Sequence, residues 1–334
     1  MKISVIIYTY DRKDFILEAI KSVLNQTISR DQYEIIVVKG FEDPQIDKDI
    51  TAAVDACLTV KVKGHGKKIV SALERSTGEI ICLLDDDDLF LEGKLKRIKQ
   101  IFESENDTLF VHNSIIRADE KGDEIPSSPE PRYDDLIFDT RRPDKRVLSR
   151  LISKRSNWYG SCMSFRRDVL MDAKEALIGI DQSIDPILFV LTMRKEGKMV
   201  KISDRLTKYR THVSTTNYSL GYSDYVNRRK EFYQNTLRNY VSVIDVCKGT
   251  SGESLLNAYI SHMKLILDFM NASSRRLLLK DSILLIASLQ RVFIGYYLIW
   301  VFYSLISIID QRIGLRVFYI LQTSARQAAI ERRS

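Results

Sequence analysis

Gly78-Glu79-Ile80-Ile81-Cys82-Leu83-Leu84-Asp85-Asp86-Asp87-Asp88 is the stretch on which the reading of this chain turns. Its first part is a short apolar run of strand length, and four carboxylates follow it without a break. Each aspartate raises its neighbours' cost of ionising, so the cluster is unfavourable unless a cation neutralises it. All-oxygen ligands suit a hard divalent ion, Mg²⁺ or Mn²⁺, and Mg²⁺ commonly shares its site with substrate phosphates. In extended backbone Asp85 and Asp87 point to one side and Asp86 and Asp88 to the other, so the expected metal pair is Asp85 and Asp87. An acidic run is also what a solvated loop face looks like. An EF-hand loop fits poorly, because no Gly stands at its sixth position and no Glu at its twelfth. The strand leading straight into the acids favours a metal-phosphate site, since open α/β sheets bind ligands at the carboxyl ends of their strands.

On either side of this stretch, strand-like and helix-like segments alternate. Ile3–Tyr8, Glu34–Val38 and Cys57–Val62 read as strands. Lys67–Ser76 and Lys94–Glu103 read as helices, and Asp11 is placed to cap an earlier helix with Phe15, Ala19 and Val23 on its apolar stripe. The alternation implies right-handed βαβ units and a parallel sheet. Residues 119–146 are rich in Pro, Asp and Arg and read as loop, Gly160–Phe165 reads as a strand, and the pattern is helical from Ser223 onward.

The 334 residues leave room for one large domain or two smaller ones, and 45% hydrophobic with 28% charged residues excludes wholesale disorder. Cys57, Cys82, Cys162 and Cys247 form no CxxC pair, which argues against a zinc site or a disulfide framework. The opening apolar run is short and Asp11-Arg12-Lys13-Asp14 follow at once, so it reads as a first strand of a domain that stays in the cytoplasm. Residues 275–334 hold nine Lys/Arg against three acids, six of the seven excess positive charges of the chain. They also hold Val292–Ile309, 18 residues without a formal charge. Such a stretch can span a bilayer, lie in its surface, or pack as a buried helix or dimer seam. Basic charge among apolar stretches points to a membrane surface and away from nucleic acid. The expected location is therefore the cytoplasmic face of a membrane.

Six segments in order resemble the inverting family-2 glycosyltransferases. Ser4–Arg12 is similar to that family's opening strand and its Pro-Thr-Tyr-Asn-Arg turn, and Ser22–Thr27 to the end of its first helix. Glu34–Val38 is similar to its second strand, and Gly78–Asp88 to the strand that ends in Asp-x-Asp. Gly160–Arg167 looks like the strand before the acceptor region, and Tyr209-Arg210-Thr211-His212 like the closing Tyr-Arg-x-His. The resemblance covers residues 1–215. It implies an α/β GT-A (Rossmann-like) fold, a mixed and mostly parallel sheet flanked by helices, over residues 1–220. A C-terminal helical region, 221–334, would follow and associate with a membrane from about residue 275.

The resemblance further implies a hexosyl- or N-acetylhexosaminyltransferase that uses a UDP- or GDP-linked sugar and Mn²⁺ or Mg²⁺ in a metal-assisted direct displacement. The basic and apolar tail points to a lipid-linked glycan or glycolipid as the acceptor, with a soluble acceptor still open. Asp87, Asp85 and His212 would serve the metal. Thr9, Tyr10, Asp11, Arg12, Asp85 and Asp86 would serve the nucleotide-sugar. Asp185, before the apolar helix that precedes Gly197, aligns with the catalytic base, and Asp181 is its rival. Asp185 before Pro186 also reads as a plain helix start. The chain departs from the family after the second strand, where Lys39-Gly40-Phe41-Glu42 replaces an acid that holds the base; Glu42 or Asp43 would have to take that contact. The Glu that usually precedes the catalytic Asp is missing too, which keeps a silent nucleotide-sugar-binding scaffold open. A nucleotidyltransferase is the third class, but no glycine-rich phosphate loop supports it.

Overall fold

The computed structural model describes residues 1–62, 64–126, 134–211, 222–271, 273–289, 297–310 and 312–321. The sheet starts with β1 (Ile3–Tyr8), β2 (Tyr33–Lys39), β3 (Ala56–Thr59) and β4 (Ile80–Asp85), in the spatial order β3-β2-β1-β4 and all parallel. β1 and β2 are buried along their whole length, and β4 up to Leu84. That is why these strands read as unbroken apolar runs with no alternation. Three helices make the crossovers: α1 (Ile16–Leu24), α2 (Pro44–Ala53) and α3 (His65–Arg75). Ile16, Ala19, Ile20 and Val23 form the buried face of α1. That helix begins later than a cap at Asp11 would place it. Residues 9–15 are taken up by an irregular turn in which the Thr9 hydroxyl donates to the Arg12 carbonyl at 3.0 Å.

Beyond β4 the chain continues through β5 (Leu89–Phe90), α4 (Lys94–Ser104), β6 (Thr108–Ala118), β7 (Leu136–Asp139), α5 (Lys145–Ser153), β8 (Met163–Arg166), α6 (Arg167–Met171), α7 (Lys174–Ile178), α8 (Ile184–Thr192) and β9 (Lys198–Arg210). β8 lies between β4 and β6, antiparallel to both, and β9 pairs parallel with β6 and antiparallel with β5 and β7. The expectation of a mostly parallel sheet is corrected here: the described pairings divide evenly between the two senses. The run of four parallel neighbours ends at β4, whose other edge is taken by the antiparallel β8. Residues 119–146, expected to be loop, contain β7 and the start of α5. Leu136 and Phe138 of β7 are buried while Ile137 is exposed, an alternation too short to stand out among polar neighbours.

One carboxylate fastens three parts of the parallel sheet. Glu34 on β2 accepts from the Ser4 hydroxyl, from the Thr77 amide (2.6 Å) and hydroxyl (2.9 Å), from the Gly78 amide (3.2 Å) and from Lys2 (3.0 Å). Burial alone would raise its pKa, but these donors, Ser4 and Thr77 foremost, bring it down to about 2.

The chain packs as two units, Met1–Thr211 and His212–Ser334. The second holds α9 (Tyr222–Ser242), α10 (Ile244–Cys247), α11 (Glu253–Met270), α12 (Arg275–Leu289) and α13 (Leu298–Ile309). Phe269, Trp300, Tyr303 and Phe318 form its aromatic centre. Among the described residues no helix is long and apolar enough to cross a membrane. Val292 to Tyr296, the first part of the uncharged stretch, lies outside the described residues.

Glu34→Gln should lower the unfolding free energy at pH 7 by about 1–3 kcal/mol, because buried donors lose a charged acceptor. Glu34 has a depressed folded pKa, so its contribution is present above about pH 4.5 and is lost as pH falls through about 2. Urea denaturation of both proteins from pH 7 down to pH 3 checks this. A gap that stays constant with pH would rule out the carboxylate as its cause.

Candidate active site

Register sets the first feature of the site. Tyr8 of β1 pairs with Asp85 of β4 on one side and with Val38 of β2 on the other, so the turn after β1 and the acids after β4 leave the sheet side by side. Extended backbone stops at Asp85. The Asp88 amide donates to the Asp85 carbonyl at 3.2 Å, closing a turn with Asp86 and Asp87 at its corners. The two-and-two split expected from alternation is therefore not what forms. Asp85, Asp87 and Asp88 come together, with one carboxylate oxygen from each within 4.8 Å of the others. Asp86 turns toward the β1 end, where Thr9 and Arg12 hydrogen-bond it.

Two arginines offset this charge. Arg12 bridges Asp86 and Asp87, reaching Asp87 Oδ2 at 2.6 Å. Arg210, buried at the end of β9, donates its amide to Asp88 Oδ1 at 2.9 Å and its Nε to the Asp87 carbonyl at 2.9 Å. Its guanidinium also meets Glu18 of α1 and lies over the Phe15 ring. Burial is nonetheless the largest influence on the acids. It raises Asp86 to about 6 against the pull of Arg12, and with Asp87 nearby it raises Asp88 to about 8. Asp85 is driven well above the usual carboxylate range by burial, then by Asp88, Asp185 and Asp87.

The donor set fits a hard divalent cation. Among the described residues, Asp86 Oδ2 and Asp88 Oδ2 are buried without a hydrogen-bond partner, a costly state that a cation at the cluster would relieve at Asp88. Asp85, Asp87 and Asp88 are the residues placed to hold it.

Asp185 stands in the first turn of α8, and its Oδ2 accepts from the Gly160 amide at 3.1 Å. A Cβ added at Gly160 would lie 3.1 Å from Asp185 Oδ1, 3.1 Å from the Tyr8 hydroxyl and 3.7 Å from Asp85 Oδ1. Three polar groups from three elements thus converge over a residue without a side chain. Tyr8 hydrogen-bonds Asp85 there. Burial raises Asp185 to about 6, against hydrogen bonds from the Gly160 and Tyr159 amides. Left-handed backbone at Tyr159 and Ser183 borders the same place, and such strain collects at functional sites.

The remaining expected residues fall as follows. Asp181 faces Gly64 and His65 at the start of α3, not Gly160. Tyr10 is partly exposed, with the Lys68 ammonium over its ring, and Asp11 is exposed. Asp43 caps α2 by accepting from the Gln45 and Ile46 amides, and it pairs with Lys13 at 2.9 Å. His212 lies outside the described residues. Sequence reasoning missed Asp88, Tyr8 and Gly160 as members of the site. Asp88 was hidden by strict alternation, which a turn cancels. Tyr8 stands where the resembled turn has its proline, and its pairing with Asp85 emerges only in the register.

Residues 4–173 match Glycosyl transferase family 2. The chain belongs to that family. Among curated relatives of this family-2 chain, an uncharacterised glycosyltransferase of Nostoc sp. is 27% identical over 237 residues, covering 66% of this chain and 67% of the relative. Glucosyl-dolichyl phosphate glucuronosyltransferase of Haloferax volcanii is 24% identical over 180 residues, covering 52% of this chain and 55% of that one. The match to an uncharacterised glycosyltransferase of Rickettsia conorii is 37% identical but takes in 41% of this chain and 23% of the relative. The chain thus spans under a quarter of that protein's length. In fold, the chain is similar to S. aureus TarS residues 1–349, with a TM-score of 0.58 at 14% identity, covering 97% of this chain and 92% of that one. It is also similar to a mannosyltransferase of Pyrobaculum calidifontis solved with GDP-Man and Mn²⁺, with a TM-score of 0.52 at 16% identity, covering 95% and 86%.

With Asp85 driven well above the usual carboxylate range and Asp88 raised to about 8, the metal-free cluster keeps protons at neutral pH. A dication must displace them, so Mn²⁺ affinity should rise from pH 6 to pH 8 with proton release. Calorimetric titration in buffers of different ionisation enthalpy measures both. Asp88→Asn should weaken Mn²⁺ binding about tenfold or more and flatten its pH dependence.

Proposed function

We propose that this chain transfers a sugar from a nucleoside-diphosphate sugar to an acceptor hydroxyl in one displacement that inverts the anomeric carbon. The observation that carries this reading is the meeting of Asp185, Tyr8 and Asp85 over Gly160. It puts a carboxylate able to take a proton next to carboxylates suited to a cation and a diphosphate. Family membership supports the donor class, as do structural neighbours solved with UDP-GlcNAc and with GDP-Man and Mn²⁺.

In this mechanism Asp185 accepts the proton of the attacking hydroxyl while the Gly160 and Tyr159 amides hold its carboxylate in place. Gly160 leaves room for the two substrates because any side chain there would fill the gap. Asp85, Asp87 and Asp88 would hold the divalent ion, and when bound that ion neutralises and orients the leaving diphosphate. Thr9 and Arg12 hold Asp86, and Arg12 also holds Asp87. The partly exposed Tyr10 offers a ring on which a base can stack. No enzyme nucleophile is needed for direct displacement, as in inverting hydrolysis with an alcohol in place of water.

A lipid-linked acceptor at a membrane surface completes the reading. The dolichyl-phosphate relative supports it, as does the surface of the second unit. Ile283, Leu284 and Ile286 of α12 and Phe302, Leu305 and Ile309 of α13 are exposed, with Arg275, Arg276, Lys280 and Arg312 in or beside the same segments. Apolar side chains beside basic ones suit an anionic lipid interface.

Asp185→Asn should abolish transfer while leaving Mn²⁺-dependent nucleotide binding intact; Asp87→Asn should lose both. Because Asp185 must be ionised to act and its pKa is about 6, turnover should fall as pH drops through that value. Nucleotide binding with no turnover under any acceptor mixture would instead favour a silent scaffold. For the membrane, co-sedimentation with vesicles of anionic lipid should fall severalfold for a protein carrying both Ile283→Asp and Phe302→Asp. Unchanged sedimentation would remove α12 and α13 from that role.

A further inference from the structure

Behind the loop that carries Gly160, two neighbouring strands bury a lysine against a histidine. His112 of β6 is in register with Lys201 of β9, and both side chains are buried. The Lys201 ammonium donates to His112 Nδ1 (3.0 Å), to the Asn113 carbonyl (2.8 Å) and to the Ser114 hydroxyl (3.1 Å). The register of β6 against β9 shifts between His112 and Ser114, which turns the Asn113 carbonyl to the lysine instead of the ladder. An ammonium cannot accept a hydrogen bond, so Nδ1 is the accepting nitrogen of the ring and carries no proton. Burial, and then the charge of Lys201, hold the imidazole neutral, its pKa well below the ordinary value. The ring proton therefore sits on Nε2, which donates to the Trp158 carbonyl at 2.8 Å.

That carbonyl shares a planar trans peptide with the Tyr159 amide, so the two point in opposite directions. A ring that holds the C=O on one side aims the N–H at the other. There Asp185 accepts from the Tyr159 amide and, at 3.1 Å, from the Gly160 amide. The backbone by itself disfavours this orientation. It sets Tyr159 at φ +64°, a region that a bulky side chain rarely adopts. Turning the peptide over would return φ to the negative side and present the Trp158 oxygen, in place of an N–H, to the Asp185 carboxylate. The Ser161 carbonyl is held by the Lys94 ammonium and by the Thr207 hydroxyl at 3.2 Å. Those bonds fix the far end of the loop and leave the 158–159 peptide to His112.

We propose that His112, set as its Nε2–H tautomer by Lys201, is a positioning residue that locks the 158–159 peptide and so holds the Asp185 carboxylate in place. Its effect on turnover rests on the reading of Asp185 as the base. Its hold on the peptide does not. His112 acts through the Trp158 carbonyl and touches no reacting atom. Phenylalanine would occupy a similar space in the sheet and lack only the ring nitrogens, which separates the lock from plain packing.

Crystal structures of wild type, His112→Phe and His112→Gln test the lock. In His112→Phe the peptide should turn over, leaving Tyr159 at negative φ with its amide off Asp185. In His112→Gln, whose side-chain NH₂ can reach the same carbonyl, the wild-type orientation should persist. Nitrogen NMR of the whole chain with labelled histidine should show His112 as the neutral Nε2–H form, and Lys201→Met should mix in the other tautomer. An unmoved peptide in His112→Phe would overturn the proposal; should that variant not fold, an Nδ1–H imidazole in wild type would do the same. Turnover of UDP-GlcNAc or GDP-Man with Mn²⁺ and mixed acceptors, followed as nucleotide release, reads the consequence. His112→Phe should lose roughly ten- to a hundredfold in kcat with the donor KM unchanged, and His112→Gln should recover most of it. Equal losses in kcat and donor affinity, or no recovery with Gln, would reduce His112 to packing. If wild type turns over neither donor, the reading of Asp185 as base fails, while the structures and the tautomer still decide the lock.

Discussion

Everything in the catalytic unit depends on keeping four consecutive aspartates at the end of a buried strand without electrostatic rupture. Their repulsion is offset from three directions. Arg12 comes from the turn after β1, Arg210 from the end of β9, and the Ser161 hydroxyl donates from the segment before β8. These three supports are far apart in the chain, so the acids bind distant strands together as well as forming a donor set that suits a cation. The residual imbalance, carboxyls that hold protons near neutrality, is what one expects of a site completed by its ligand.

Much of the first unit was legible because its signals are local. Runs such as Ile3–Tyr8 and Ile80–Leu84 suit one arrangement, a strand with two buried faces and a crossover helix to the next. β7 was not legible, since four residues with two buried side chains carry little pattern. The sense of β8 was not legible either. Its sequence records burial and says nothing of direction.

The site divides along the same line. The acids and Asp185 announce themselves as residue types in a recognisable order. Their grouping does not, because it is made by a turn that brings Asp88 back to Asp85 and by a register that sets Tyr8 beside Asp85. Glu42 and Asp43 looked like substitutes for a missing acid, yet ordinary needs claim them: a surface ion pair for one and a helix cap for the other.

The left-handed residues around Asp185 carry a thermal consequence. Tyr159 and Ser183 hold strained backbone next to Gly160 and Asp185, and Arg155 holds it earlier in the same segment. Among the described residues, β1, β2 and β4 carry no such strain, and they are buried almost throughout. On warming, the loops that aim Asp185 should relax before that core opens, since local openings draw on the least stable segments first. The molecule would then pass through a temperature range in which its core strands stay folded while the Asp185 carboxylate has lost its fixed place.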